Sequence, residues 1–359
     1  MKIMIKRKPS KKILVKNVEI GGGSSIKIQS MCNIKTADYK RIINQIRRLF
    51  LAGCELIRVS VKDDNDIEGL KKIIPSSPIP VIADIHFDYK LALKSIAAGV
   101  HKLRVNPGNI GDDWKVKEII KAEKEKKIPI RIGVNFGSLE KPLLKKIEEN
   151  KMTAESAVVA SALKEIKLLE ELDFTDIAVS LKTSDALTTV LAYVLFSEKR
   201  NYPLHVGITE TGTLRNGLVK SSIGISQIFL NGLGDTVRVS LASDPIEEIY
   251  AAYNILKVLH LREDMVDFIA CPTCGRTEIN LLQLAAKVEK IVYSIRRPVK
   301  IAVMGCVVNG PGEARDADIG ITGGKGVGLI FRKGKIIKKV KESELFDEFK
   351  NELIKMGLL

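Results

Sequence analysis

The sequence predicts an α/β protein in two parts, an N-terminal (β/α)8 barrel of the TIM type followed by a small α/β domain. Three observations point there. From about residue 26 to 243, short apolar runs alternate with longer amphipathic stretches through eight strand candidates, the pattern of a closed parallel barrel. After His260 that rhythm stops, and loops rich in Gly, Pro and Cys take over. The chain has 359 residues, a length that suits two domains or a large barrel with an appendage.

Taken in order, Ile13-Leu14-Val15 and Val18-Glu19-Ile20 read as a small hairpin that plugs or flanks the barrel bottom, and Gly21-Gly22-Gly23 ends it as a turn. Barrel strands are expected at 26–30, 56–61, 80–85, 102–105, 130–134, 176–181, 204–209 and 236–241. A helix should follow each, among them 36–52, 88–98, 153–172 and 245–259. The second part should hold strands at 267–270, 299–304, 319–322 and 329–332, a helix over 279–293 and a closing helix over 343–356. A boundary in Leu261-Arg262-Glu263-Asp264 gives domains 1–262 for substrate binding and 263–359 for a metal cluster. Gly323-Gly324-Lys325-Gly326 is no phosphate loop, because Lys325 is followed by Gly and no Gly precedes it at the Walker spacing.

Bulk properties narrow the class. With 45% hydrophobic residues the chain can bury a sizeable core. Five cysteines, two of them isolated, argue against a disulfide framework and for a reducing compartment. The N-terminus is charged and lacks a signal-peptide apolar region, and the apolar run 187–196 is too short to span a bilayer, so a cytoplasmic protein is expected. The net charge of +15 raises a nucleic-acid reading, but aromatics make up only 5% and do not interleave with the basic runs. A solvated surface that favours anionic substrates and acidic electron donors fits better.

The chemistry-bearing residues fall in two groups. Cys271-Pro272-Thr273-Cys274-Gly275 is a C-x-x-C pair bent by Pro and Gly, and Cys306 lies in another Gly/Pro-punctuated loop that also carries Glu313. Three thiols without a second pair suit an iron–sulfur cubane with one open iron better than a zinc ribbon; zinc and thiol redox chemistry stay open on spacing alone. The second group lies at the C-terminal ends of the barrel strands, where such barrels build their sites. Arg58 and Ser60, Arg104 and Asn106, Ser180 and Lys182, and Arg238 and Ser240 are i, i+2 pairs on alternate strands, so each pair shares a face. Arg131 and Asn135, Asp84 and His86, and His205 and Glu210 join them. Pointing outward these charges would be buried without partners; pointing inward, four arginines and a lysine converge on one cavity. Asp84 and Glu210 cannot balance them, so an anion is expected there, and a diphosphate suits bidentate arginines. His86 and His205 are candidate acid/base groups, and Glu210 is the better candidate for holding hydroxyls or moving protons.

These stretches resemble one family. Gln29-Ser30-Met31, Arg58-Val59-Ser60-Val61, 83–89, 106–111, 128–135, His205-Val206-Gly207-Ile208-Thr209-Glu210, 269–274 and 305–313 are similar to the 4-hydroxy-3-methylbut-2-enyl-diphosphate synthases of the non-mevalonate isoprenoid pathway, in their short bacterial two-domain form. The resemblance implies a 4Fe–4S cluster on Cys271, Cys274, Cys306 and Glu313, with Glu313 and Glu210 in catalytic roles. It implies that Arg58, Asp84, Arg104, Asn106, Arg131, Asn135, Lys182, His205, Arg238 and Ser240 bind 2-C-methyl-D-erythritol 2,4-cyclodiphosphate. It also implies a flavodoxin or ferredoxin donor and a homodimer in which one chain's cluster domain caps the other's barrel. Cys32 and Ile34 stand where the family usually has threonines, Thr211 stands where alanine is common, and the loop 325–335 also differs. A zinc-ribbon binding protein and another iron–sulfur reductase acting on an anion, such as a siroheme-type enzyme, are the competing readings.

Overall fold

The computed structural model describes residues 5–105, 110–111, 113–306, 312 and 314–359. The chain divides into two compact units, Met1–Arg262 and Glu263–Leu359. No helix among the described residues is long and apolar enough to cross a membrane.

The first unit opens with an antiparallel hairpin, β1 (Ile13–Val15) and β2 (Val18–Ile20), with Ile13 opposite Ile20. Strand alternation buries Ile13, Val15 and Ile20 and leaves Leu14 exposed, giving the hairpin one apolar face. That face packs on Leu56, Ile82 and Ala178, the apolar residues at the base of the barrel interior. Eight parallel strands follow: β3 (Lys27–Met31), β4 (Leu56–Ser60), β5 (Val81–Asp84), β6 (Lys102–Val105), β7 (Ile130–Asn135), β8 (Ile177–Lys182), β9 (His205–Val206) and β10 (Thr236–Val237). Neighbours in sequence pair in register from β3 to β8, β10 pairs with both β3 and β9, and one parallel bridge between Val179 and Leu204 joins β8 to β9.

The last two strands are shorter than the sequence suggests. A Cβ on Gly207 would lie 2.4 Å from the Arg238 carbonyl oxygen, and the regular ladder stops where the two segments crowd together. Around the sheet lie α1 (Tyr39–Leu51), α2 (Asp64–Ser76), α3 (Tyr89–Ala97), α4 (Asp113–Lys126), α5 (Lys141–Glu148), α6 (Ala154–Glu171), α7 (Ala186–Ser197), α8 (Leu214–Leu230) and α9 (Pro245–Val258). Five of them start at an aspartate, Asp38, Asp63, Asp88, Asp185 and Asp244, whose carboxylate accepts a first-turn N–H. Each such cap is worth about 1 kcal/mol and fixes the helix start close to the strand end. It also explains why α1 begins later than expected: Asp38 caps it, while Thr36 is engaged with the Ser60 carbonyl.

The second unit is a sheet with β11 (Asp267–Ala270), β12 (Lys300–Val303), β13 (Ile319–Gly324), β14 (Val327–Arg332) and β15 (Lys335–Lys341) in that order, backed by α10 (Leu281–Val292) and α11 (Leu345–Lys355). The first three strands run parallel and the last two turn back antiparallel. Val288, Val292, Ile301, Val303, Ile319, Ile321, Ile330, Leu345, Phe349 and Leu353 form a core within this unit. Its surprise is β15, which the sequence presents only as a lysine run. Lys335, Ile336 and Ile337 are all exposed, Lys339 and Lys341 alternate outward beyond them, and lysines on an edge strand discourage pairing with another chain.

Candidate active site

The barrel register sorts the inward-facing side chains into rings of four drawn from alternate strands, as expected of this fold. The lowest ring is Leu56, Lys102, Ala178 and Thr236, and above it come Gln29, Ile82, Arg131 and His205. Arg58, Arg104, Ser180 and Arg238 form the next, then Met31, Asp84, Gly133 and Gly207; Ser60, Lys182 and Ser240 reach the mouth. Barrels of this type usually fill these rings with branched apolar side chains. Here the apolar members are few, Leu56, Ile82 and Ala178 near the base and Met31 higher up.

Asp84 is the hub. Its carboxylate accepts from Arg104 Nη1 at 3.1 Å and lies 3.6 Å from both Arg58 Nε and His86 Nε2. Burial pushes its carboxyl up, but Arg58, His86, Arg104 and Arg131 outweigh that and hold it well below the usual carboxylate range. Arg58 also lays its guanidinium on the Met31 sulfur at 2.9 and 3.2 Å, and burial, with Arg238 and Arg104 nearby, pushes it down to about 10 against the pull of Asp84. Arg131 is fully buried with Nε and Nη1 unpartnered, and burial, then Arg58 and Arg104, pushes it well below its usual range. Lys182 is pushed down in the same way, by burial and then by Arg131 and Arg238. Two glycines leave room for these cations: a Cβ at Gly133 would lie 2.8 Å from Arg104 Nε, and one at Gly207 would lie 2.6 Å from Lys182 Nζ.

The counter-charges differ from those expected. Glu210 is exposed, sits in the left-handed region at φ 54°, and forms no ion pair among the described residues. Arg238 instead faces Glu248 of α9 at 3.5 Å, and Glu248 also accepts from the Leu241 N–H at 2.9 Å. Asp84 and Glu248 therefore stand against Arg58, Arg104, Arg131, Lys182 and Arg238, a clear cationic surplus. His205 departs from its expected place at the rim. It lies beneath the arginines with Nδ1 2.8 Å from Thr236 Oγ1, and burial, then Arg131 and Lys182, keeps its imidazole neutral. His86 is half exposed at the mouth. Asn135 and Ser240 are half-buried at strand ends. Thr211 donates its hydroxyl to the Ser240 carbonyl, so the residue that departs from the family pattern ties the Glu210 loop to the segment after β10. Asn106 lies outside the described residues.

The cysteines gather at one end of the second sheet. Ala270 pairs with Val303, and the Cys271 N–H continues the ladder to the Val303 carbonyl at 2.9 Å, so Cys271 and Cys306 leave neighbouring parallel strands on the same edge. Cys306 is buried, with its carbonyl held by Thr322 Oγ1 at 2.8 Å; Cys271 is half-buried and Cys274 exposed. The Arg276 backbone N–H, then its side chain and the Thr277 hydroxyl, draw the Cys274 thiol below its usual range, which favours thiolate. A Cβ on Gly305 would lie 2.9 Å from Leu281 and 3.1 Å from Thr277 Oγ1, so the Cys306 loop packs closely on the turn after Cys274. Among the described residues no three Cys, His, Asp or Glu side chains stand ready to hold a single metal ion, and Glu313 lies outside them. The donor set nevertheless fits a cluster, whose several irons accept thiolates spread farther apart than one ion does. Cys32 and Cys54 are buried elsewhere; burial pushes both thiols up, Cys54 to about 12, which marks them as inert core residues.

A barrel lined to this depth with unbalanced cations toward the C-terminal ends of its strands defines a class, a (β/α)8 enzyme whose substrate is an anion. The chain belongs to the GcpE family: the family's TIM-barrel domain matches residues 10–253 and its C-terminal domain matches residues 267–355. It is 53% identical over 98% of its length to the whole of a 4-hydroxy-3-methylbut-2-en-1-yl diphosphate synthase (flavodoxin) from Thermodesulfovibrio yellowstonii. It is 50% identical, again over 98% of its length, to the whole of the enzyme of the same description from Clostridium acetobutylicum. Among solved structures, dihydropteroate synthases from Stenotrophomonas maltophilia and Yersinia pestis share the barrel, with TM-scores of 0.51 and 0.50 at 11% identity. They cover 70% and 69% of this chain and 97% of their own, a likeness of fold alone.

Proposed function

We propose that this chain carries out the reductive ring opening and dehydration of 2-C-methyl-D-erythritol 2,4-cyclodiphosphate to 4-hydroxy-3-methylbut-2-enyl diphosphate. Counted on the neutral acids, two electrons and two protons enter, the ring carbon–oxygen bond breaks, and a hydroxyl leaves as water. The observation that carries the reading is the cationic surplus around Asp84. The ring ester is a phosphodiester and the product a terminal phosphate, so the reaction raises the charge of the diphosphate. Preorganised guanidinium groups stabilise that developing charge without having to reorganise.

In this reading Arg58, Arg104, Arg131, Lys182 and Arg238 bind and orient the diphosphate, and Asp84 fixes the arginines. Asn135 and Ser240 complete the mouth, and Glu210 offers an exposed carboxylate to a substrate hydroxyl. A 4Fe–4S cluster on Cys271, Cys274, Cys306 and Glu313 would supply electrons singly from a flavodoxin or ferredoxin. The free cysteines favour a cytoplasmic home. A homodimer is part of the reading, and Leu187 and Leu191 on α7 with Val219 and Ile223 on the adjacent α8 offer exposed apolar surface for one.

Anaerobically purified protein should contain about four iron and matching sulfide per chain, and should convert the cyclodiphosphate when supplied with a reductant. Arg131→Ala should lower turnover by on the order of 10²–10³ at unchanged iron content. Stoichiometric zinc without sulfide would overturn the cluster, and wild-type turnover in Arg131→Ala would overturn the anion site.

A further inference from the structure

Lys102 heads β6 two residues before Arg104 and therefore shares its inward face. It is fully buried, and its Nζ has no hydrogen-bond partner. The inward face of the barrel carries Arg58 (β4), Asp84 (β5), Arg104 (β6), Arg131 (β7), Lys182 (β8), His205 (β9) and, just past β10, Arg238; Arg131 and Arg58 act on Lys102 most strongly, and Gln29 and Thr236 are uncharged members of the same face. From below, the hairpin presents only Ile13, Val15 and Ile20. Asp84 is already engaged by Arg104 and Arg58, so among the described residues no carboxylate is paired with Lys102. Gln29, His205 Nε2 and two nitrogens of Arg131 are also without partners in the adjoining ring. The barrel floor is thus a sealed polar layer with unused donors, directly beneath the arginines.

We propose that Lys102 is a further binding residue of the anion site, resting as the neutral amine and taking up a proton when the diphosphate enters. The inference rests on the diphosphate reading above and goes beyond it in assigning a charge-adjusting group to the floor. The physical ground is that an ammonium here faces Arg131 and Arg58 with no carboxylate paired to it, a costly placement in a medium of low polarity. Burial first, then Arg131 and Arg58, pushes its amine well below the usual lysine range. An incoming dianion or trianion offsets those cations, and the proton then moves from solvent to Nζ with no other bond made or broken. Ring opening adds one more negative charge above the same floor, so the floor charge favours the product-like state.

The test is titration calorimetry of the anaerobic full-length protein near neutral pH in two buffers of different ionisation heat. Inorganic pyrophosphate serves as the probe and the cyclodiphosphate as a second ligand. The wild-type chain should take up about one proton on binding beyond the share found in Lys102→Met, and Lys102→Met should bind roughly tenfold more weakly, as expected for the loss of a buried charged partner. Lys102→Arg, whose charge is permanent, should bind without that uptake. Any proton taken by His205 or by the ligand persists in both variants and cancels from the comparison. Uptake undiminished in either variant overturns the proposal while leaving the diphosphate site standing. Failure of the wild type to bind either ligand overturns both.

Discussion

Glu123 on α4 is the least comfortable side chain of the barrel wall. It is fully buried, and neither carboxylate oxygen finds a partner. Burial pushes its carboxyl well above the ordinary 4.5. A folded value above the unfolded one means that stability is fullest below about 4.5 and is lost as pH climbs from there to the raised value. Glu123→Met should therefore raise stability at neutral pH, by on the order of 1–3 kcal/mol for removing a buried unpaired polar group. The gain should shrink in acid, where the wild-type carboxyl is protonated in both states. Chemical denaturation across pH checks it, and a loss of stability at neutral pH would show that Glu123 is satisfied after all. At this scale the inward pairs were legible, because a period of two puts Arg58 with Ser60, Ser180 with Lys182 and Arg238 with Ser240 on one face of each strand. The same rule applied one step down from Arg104 reaches Lys102. Glu248 was not legible: it comes from a helix outside the sheet, and no spacing links it to Arg238.

At the scale of elements, the glycines of the Asp84 ring show how strand sequence makes room for chemistry. At Gly133 a Cβ meets the movable end of Arg104, whereas at Gly207 it meets the Arg238 backbone carbonyl as well as Lys182. Gly133→Ala should leave thermal stability near wild type and weaken substrate binding, seen as a higher KM, because Arg104 alone must shift. Gly207→Ala should cost about 1–3 kcal/mol of stability, the usual range for overpacking against immobile atoms. Equal melting temperatures for the two variants would contradict this account. The barrel strands could be read from sequence because each is a short apolar run bounded by turn residues. The strand β15 could not, because its lysines face solvent on an edge and mimic a solvated charge run. The early ends of β9 and β10 were hidden too, since the crowding at Gly207 is a tertiary effect.

At the scale of the whole molecule, each unit carries its own core and its own half of the proposed chemistry, cations in 1–262 and thiols in 263–359. In the homodimer reading a complete site draws one half from each chain. Mixing Arg131→Ala chains with Cys306→Ser chains should then restore turnover in mixed dimers, up to roughly half of the sites being intact. Verified subunit exchange with no recovery would place both halves in one chain. The boundary near residue 262 was legible because the strand–helix rhythm stops there; the pairing of chains leaves no such periodic mark. The hairpin that closes the barrel base has a kinetic meaning of its own. Ile13, Val15 and Ile20 stopper the lower end, so the barrel is a cul-de-sac and not a conduit. With the anion site proposed above, reactant, expelled water and product share one doorway, the next reactant waits until the product has gone, and the two compete for the vacancy.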